Sequence, residues 1–250
     1  TYMAMKKYFF LLLILLNFLT YGQKEYYELR KYELPFNASE ASLHKYFSEA
    51  LIPALNRFGV ENIGVFEALG KPTPKVIYLF IPYKNMTMYV QIFEALKKDK
   101  TYLNARATYD AVLPNKKVYN RFTTSFLIAF DGLPKLIKPK EATQLFELRT
   151  YEGYSEDAVR RKVDMFNKEE FSIFDATGLN SVFFGEQISG PLMPALTYML
   201  AFESMEERNI NWEKFSKNSE WKRVSILKEY SNTVSDIKRV FLKPLEYSQL

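Results

Sequence analysis

The sequence has no cysteine and a single histidine, His44. Without cysteine there is no disulfide, thiolate metal site, iron–sulfur cluster, cysteine nucleophile or lipid-modified N-terminal Cys. With one histidine the common zinc clusters are excluded too, so no metal site is expected. Glycine (9) and proline (11) are scarce in 250 residues, which excludes collagen-like repeats and long low-complexity disorder. Hydrophobic residues make up 48% and charged residues 25%, the balance of a globular chain rather than of a polytopic membrane protein. What the chain holds in quantity is aromatic mass: 21 Phe, 18 Tyr and 2 Trp, ample for a sizeable core. Length alone implies one or two domains.

The first residues read as a targeting segment. Met3-Ala4-Met5-Lys6-Lys7 is a short basic region, and residues 8–19 are apolar and free of charge. A bilayer-spanning helix needs ~20 such residues, so this run is short for an anchor. Thr20-Tyr21-Gly22 offers small residues at the −3 and −1 positions of a signal peptidase site, predicting cleavage after Gly22 and a mature end at Gln23. The expectation is a periplasmic or secreted protein with no stable membrane insertion after cleavage. Without Lys6 and Lys7 the net charge falls from +5 to +3. Such weak basicity, with Arg160-Arg161-Lys162 and Lys97-Lys98 as solvated helix faces, predicts no nucleic-acid partner.

Tyr27-Glu28-Leu29-Arg30-Lys31-Tyr32 recurs as Phe146-Glu147-Leu148-Arg149-Thr150-Tyr151, at an offset of 119 residues. The same offset pairs Phe47 with Phe166, Gly59 with Gly178, Phe93 with Trp212, Tyr102 with Trp221 and Phe122 with Phe241, with no gap. A register held that long marks two copies of one unit. The predicted division is a signal peptide (1–22), a first repeat (23–130), a linker (131–143) and a second repeat (144–250).

Each copy reads strand, helix, strand, strand, helix, strand. In the first, strands are predicted over 26–34, 63–68, 76–81 and 118–130, and in the second over 144–151, 180–188, 195–202 and 236–245. Asn37 with Glu40, and Ser204 with Glu207, have the spacing of capping boxes. Gly59 and Gly178 read as helix stops. Pro53 is expected to kink its helix. The order βαββαβ is the ferredoxin-like plan. The predicted class is α+β: two tandem ferredoxin-like repeats packed sheet to sheet as a pseudo-dimeric α/β barrel, whose interior is just wide enough for side chains or one small ligand.

These residues resemble the NIPSNAP family. The Glu-Leu-Arg-x-Tyr opening, the segment 47–64 with its late Ile-Pro and following Gly, and the Trp-containing segment 208–221 carry the resemblance through both copies. Copy two is the better match, because Phe93 and Tyr102 stand in copy one where copy two has Trp. The resemblance implies the dimeric α/β-barrel fold. It implies no settled activity: animal members are associated with mitochondrial and trafficking-linked roles, and secreted bacterial members, which the leader suggests, have none assigned.

Alternation along the first strand puts residues 28, 30 and 32 on one face and 27, 29 and 31 on the other. If Leu29 and Leu148 face the helices, then Glu28, Arg30, Tyr32, Glu147, Arg149 and Tyr151 face the barrel interior. Two Arg forks there could hold the carboxylate or phosphate of a small anionic or aromatic ligand, with Tyr hydroxyls orienting it. The competing reading is that each Glu pairs with an Arg and locks the barrel. His44, whose counterpart is Val163, reads as a half-buried packing residue, with haem ligation the remote alternative; no other cofactor is expected. Residues 64–71 lack the spacing of a phosphate loop. The two functions in view are an exported, non-catalytic module that binds a small ligand, a protein partner or a second copy of itself, and a cofactor-independent monooxygenase- or isomerase-like enzyme acting on a small anionic or aromatic substrate. An open barrel interior of a few hundred cubic ångströms (roughly the size of a ligand pocket) would favour ligand chemistry.

Overall fold

A computed structural model describes residues 23–36, 40–70 and 72–250; the proposed leader and the Asn37 cap lie outside them. Eight strands close into one antiparallel barrel. They are β1 (Tyr26–Glu33), β2 (Gly64–Ala68), β3 (Val76–Tyr83), β4 (Arg121–Ala129), β5 (Leu145–Glu152), β6 (Asn180–Ser189), β7 (Ala195–Phe202) and β8 (Asp236–Pro244). Round the barrel the order is β1-β3-β2-β8-β5-β7-β6-β4. The first half thus contributes the run 4-1-3-2 and the second the equivalent run 8-5-7-6. The halves do not pack sheet face on sheet face, as the sequence suggests. They join edge to edge, through β2 with β8 and β4 with β6. Hydrogen bonding two otherwise open edges removes the unpaired groups that isolated sheets would leave.

The constant offset breaks before the last strand. Glu28 stands opposite Phe126, and Glu147 stands opposite Phe241. The structural counterpart of Phe241 is therefore Phe126, not Phe122, and the offset there is 115. The four extra residues of the first half form an added turn, Ala107–Asp110, with no match in the second. A shift of four keeps every side chain on its face, since the side-chain period of a strand is two.

The faces are the reverse of the prediction. Tyr27, Leu29, Phe66, Phe80, Phe146, Leu148, Phe183, Met199 and Leu242 form the core inside the barrel. Phe80 stacks on Phe183 at 4.5 Å, and Phe66 meets Phe146 edge-on at 4.9 Å, across the two halves. This interior is filled. Glu28, Arg30, Tyr32, Glu147, Arg149 and Tyr151 lie on the outer face, beneath the helices. The physical reason is the supply of donors: on the outer face Glu147 meets Arg208 and Trp212 from the helix layer, and Glu28 meets Arg30 and the Tyr83 hydroxyl.

The first half's helix layer is α1 (Ala41–Lys45), α2 (Ile52–Arg57), α3 (Met86–Leu96), α4 (Lys100–Ala105) and the added turn α5 (Ala107–Asp110). The second half supplies α6 (Glu156–Met165), α7 (Phe171–Thr177), α8 (Met205–Lys217) and α9 (Ser219–Val224). A π-turn, Tyr46–Leu51, joins α1 to α2, and its equivalent, Phe166–Glu170, joins α6 to α7. The irregularity is therefore not the work of Pro53, whose counterpart is Ser172. Asn85, Asp99, Ser155, Ser204 and Asn218 accept backbone N–H groups at helix starts. Half of the predicted box forms, Ser204 Oγ accepting the Glu207 N–H at 3.1 Å, while the Glu207 carboxylate accepts from the N–H of Glu203, one residue before the cap, at 2.6 Å. Among the described residues Glu40 makes no side-chain cap; its carboxylate turns to Lys75 and His44.

Gly59 and Gly178 end their helices at φ +80 and +76. At Gly178 an added Cβ would also lie 3.0 Å from Asn211 Nδ2, the group that donates to the Gly178 carbonyl. Gly178→Val is expected to lose about 1–2 kcal/mol, from the left-handed backbone and the displaced Asn211. Urea unfolding followed by circular dichroism measures it; an unchanged midpoint would show that the glycine is dispensable.

Candidate functional site

On the outer face of β5, Glu147 is fully buried (0% exposed) and receives four hydrogen bonds. Arg149 donates from Nη1 at 3.2 Å, Arg208 from Nε at 2.8 Å and Nη2 at 2.9 Å, and Trp212 from its indole Nε1 at 2.8 Å. Arg208 and Trp212 reach one carboxylate because they sit four apart on α8 and so share a face. The Arg149 guanidinium lies 4.4 Å from the Trp212 ring centre, a cation–π stack that seals the site. Next to it the Tyr151 and Tyr198 hydroxyls bond at 2.8 Å.

The first half repeats the pair without the seal. Arg30 Nε donates to Glu28 Oε1 at 2.6 Å, and the Tyr83 hydroxyl to Oε2 at 3.0 Å. Tyr32 stacks on Phe122 at 4.9 Å, with its hydroxyl beside the Arg30 guanidinium. Each glutamate thus pairs with the arginine of its own half. The two sets are not brought together: β1 and β5 stand four places apart in the ring of eight.

At the positions of Arg208, Trp212 and Trp221 the first half has Tyr89, Phe93 and Tyr102. Phe93 does not fill the place of the indole. It is 55% exposed, with Lys97 Nζ 4.3 Å from its ring centre. What remains is a cleft of about 620 Å3 between the sheet and helices α3 and α4, lined by Glu28, Arg30, Tyr46, Tyr89, Phe93, Lys97, Tyr102, Arg106 and Phe122 among others. Arg106 donates to the Tyr102 hydroxyl at 2.9 Å, and that hydroxyl bonds Tyr46 at 2.8 Å. Three cationic side chains and one carboxylate line the cleft, and each cation has a carboxylate partner: Arg30 has Glu28, Lys97 has Glu94 at 2.7 Å, and Arg106 has Asp110 at 2.7 Å. Burial, with Tyr102 adding to it, raises the Tyr46 phenol well above its ordinary range. Burial and then Glu28 do the same to Tyr83. Both stay protonated; Tyr46 is a neutral wall of the cleft, and Tyr83 holds Glu28 from behind it.

Of the residues expected from sequence, Glu28 and Arg30 line this cleft, whereas Glu147 and Arg149 lie under the Trp212 seal. Sequence reasoning missed Tyr46, Tyr89 and Arg106. The substitution pattern between copies held the signal for Tyr89, where Arg208 becomes Tyr beside the Trp212-to-Phe93 change. Arg106 directly precedes the added turn α5, so no repeat comparison could flag it.

The second half also buries an ion pair, Lys162 with Glu170, at positions occupied by Leu43 and Leu51 in the first. Burial raises the Glu170 carboxyl above its ordinary value, with Lys162 opposing. His44 is half-buried. Its Nδ1 lies 2.6 Å from the Tyr247 hydroxyl and its Nε2 3.3 Å from Glu40 Oε2. It does not line the cleft, and both of its nitrogens are engaged. Residues Gly64–Ala68 are strand β2, leaving no phosphate loop. Among the described residues no His/Cys/Asp/Glu group could hold a metal, and no helix is long and apolar enough to cross a membrane.

Residues 146–249 match the family model NIPSNAP. No curated protein matches the chain. Among solved structures, a provisionally assigned monooxygenase from Lactobacillus acidophilus superposes with a TM-score of 0.58 at 12% identity, covering 88% of this chain and 94% of that one. A provisionally assigned monooxygenase of Fusobacterium nucleatum gives 0.52 at 11%, covering 89% and 93%. An anthrone oxidase-like protein gives 0.51 at 8%, covering 89% and 92%. At these identities the likeness is one of fold: an α/β barrel closed within a single chain.

Proposed function

We propose, for a chain whose C-terminal half is a NIPSNAP domain, that it is an exported, non-catalytic module binding a small aromatic anion in the outer cleft of its N-terminal half. We read both halves as ferredoxin-like units, the second kept as a sealed support and the first opened for a ligand. One observation carries this reading. The same buried Glu–Arg pair is closed over by Trp212 and Arg208 in one half and left open to a cleft of about 620 Å3 in the other. Aromatic walls and guanidinium donors at the lining suit an aryl carboxylate, which would compete with Asp110 for Arg106. Isothermal titration of the purified protein with phenyl and naphthyl carboxylates tests it. Arg106→Met is expected to weaken binding by about tenfold, the worth of one charge-assisted hydrogen bond. Absence of heat with every aryl carboxylate at millimolar concentration (on the order of the weakest specific binding) rejects the reading. The leader is tested separately, by whether mass spectrometry of the exported protein begins at Gln23.

A second reading is a cofactor-independent enzyme, favoured by what the structural neighbours are named for and by the placement of Glu28 where a bound ring could lose a proton to it. Glu28→Gln then abolishes turnover of a bound aromatic while leaving its affinity; a Gln variant with full turnover removes Glu28 from any such role.

A further inference from the structure

We infer that the open cleft recognises a ring N–H as well as a carboxylate, so that its ligand is an indole-type heteroaromatic acid. This deepens the binding function proposed above and rests on it. The sealed half shows what a carboxylate at this place accepts. An ionised carboxylate has about four acceptor positions. Glu147 fills them with Arg149, two donors of Arg208 and the indole N–H of Trp212.

Glu28 occupies the same place on β1 and is 2% exposed, yet among the described residues it receives only Arg30 and the Tyr83 hydroxyl. The Tyr83 bond has no twin, because Phe202 stands at that position in the second half. The three donors supplied by α8 in the second half are missing, since Tyr89 and Phe93 replace Arg208 and Trp212. A buried carboxylate with spare acceptor capacity next to a cleft is a site for a donor.

The ring that would bring the donor is also specified. In the second half the indole lies against the Arg149 guanidinium. In the first, Arg30 is 21% exposed at the cleft, and the ring nearest its face, Phe122, is 5.9 Å away. A planar ring seated as Trp212 is seated would place its face on Arg30 and its N–H on Glu28. An acidic arm on the same ring would then lie toward Arg106 and Lys97 and exchange with their present partners, Asp110 and Glu94. The ligand thus completes in one half the contact that a side chain makes in the other.

The test is a titration series on the unmodified protein with indole acetate, its N-methyl derivative, the sulfur-for-nitrogen benzothiophene acetate and naphthalene acetate. All carry the same charge. The ring N–H acid is expected to bind at least about tenfold tighter than the other three, since a site with a buried acceptor rejects a ligand that leaves it unpaired. Equal affinities overturn this inference while leaving the aryl-anion reading standing; no binding by any of the four overturns both. A second arm rebuilds the seal. Tyr89→Arg with Phe93→Trp should give a folded protein, by circular dichroism, that has lost indole acetate binding. If that double variant binds indole acetate as the parent does, the parallel between Trp212 and the ligand is wrong. Should it not fold, the analogue series decides alone.

Discussion

Lys162→Leu is expected to destabilise the protein by about 3–5 kcal/mol, and adding Glu170→Leu to return most of that loss. Removing one member of a buried ion pair leaves an uncompensated charge, whereas removing both leaves an apolar site. The protein itself holds the control. Leu43 and Leu51 occupy the equivalent positions of the first half, both buried. The π-turn persists there with Leu51 at the position of Glu170, so Glu170 is not what holds its backbone. The pH dependence has a definite sign. Burial raises the folded-state pKa of Glu170 above its ordinary 4.5. A raised carboxyl contributes stability that is present below the unfolded value and lost as pH rises through the folded one. The single Lys162→Leu variant, with the opposing cation gone, should therefore approach the parent's stability in acid and fall behind above pH 4.5. Chemical denaturation of the parent, both singles and the double at two pH values measures the cycle. A double variant no better than Lys162→Leu alone would show that the pair is worth more than its desolvation cost.

Glu147→Leu is the second large effect, with an expected loss of about 3–5 kcal/mol. It takes the acceptor from Arg149, Arg208 and the Trp212 indole at once. Two guanidiniums, with side-chain exposures of 12% and 13%, are then left without an anion. Arg149 Nε already lacks a partner, so the site has no reserve. Glu28→Leu should cost less, because Glu28 holds one guanidinium rather than two and water reaches the open cleft. Comparing the two melting temperatures checks the ranking. A larger loss at Glu28 would contradict the picture of a sealed half and an open one.

Periodicity and punctuation carried much of the fold. The alternation of Tyr27-Glu28-Leu29-Arg30, the cap at Asn218 and the glycines at 59 and 178 are local signals, and the elements they imply are present. The assignment of strand faces was not legible, for a physical reason. A barrel strand under helices is buried on both sides, so a period of two says which residues share a face but not which face is inside. Tyr27 and Leu29 are equally at home in either place. The polar set was decided by partners that come from α8, some 60 residues away in the chain. Arg208 and Trp212 stood out in sequence as part of a Trp-containing helix, but nothing local tells that both end on Glu147. The register failed at Phe122 for a similar reason. Four residues lost in a loop leave the alternation intact, and only the pairing of Phe241 with Glu147 reveals the loss.

The seams β2–β8 and β4–β6 lie within one continuous chain. In a barrel assembled from two identical chains, every substitution appears twice, so a site cannot be opened without also loosening its counterpart. Here position 93 and position 212 are separate letters of one text. Trp212 can go on holding its carboxylate while Phe93 stands away from the other. Covalent fusion makes division of labour possible between two sites that symmetry would otherwise force to remain alike.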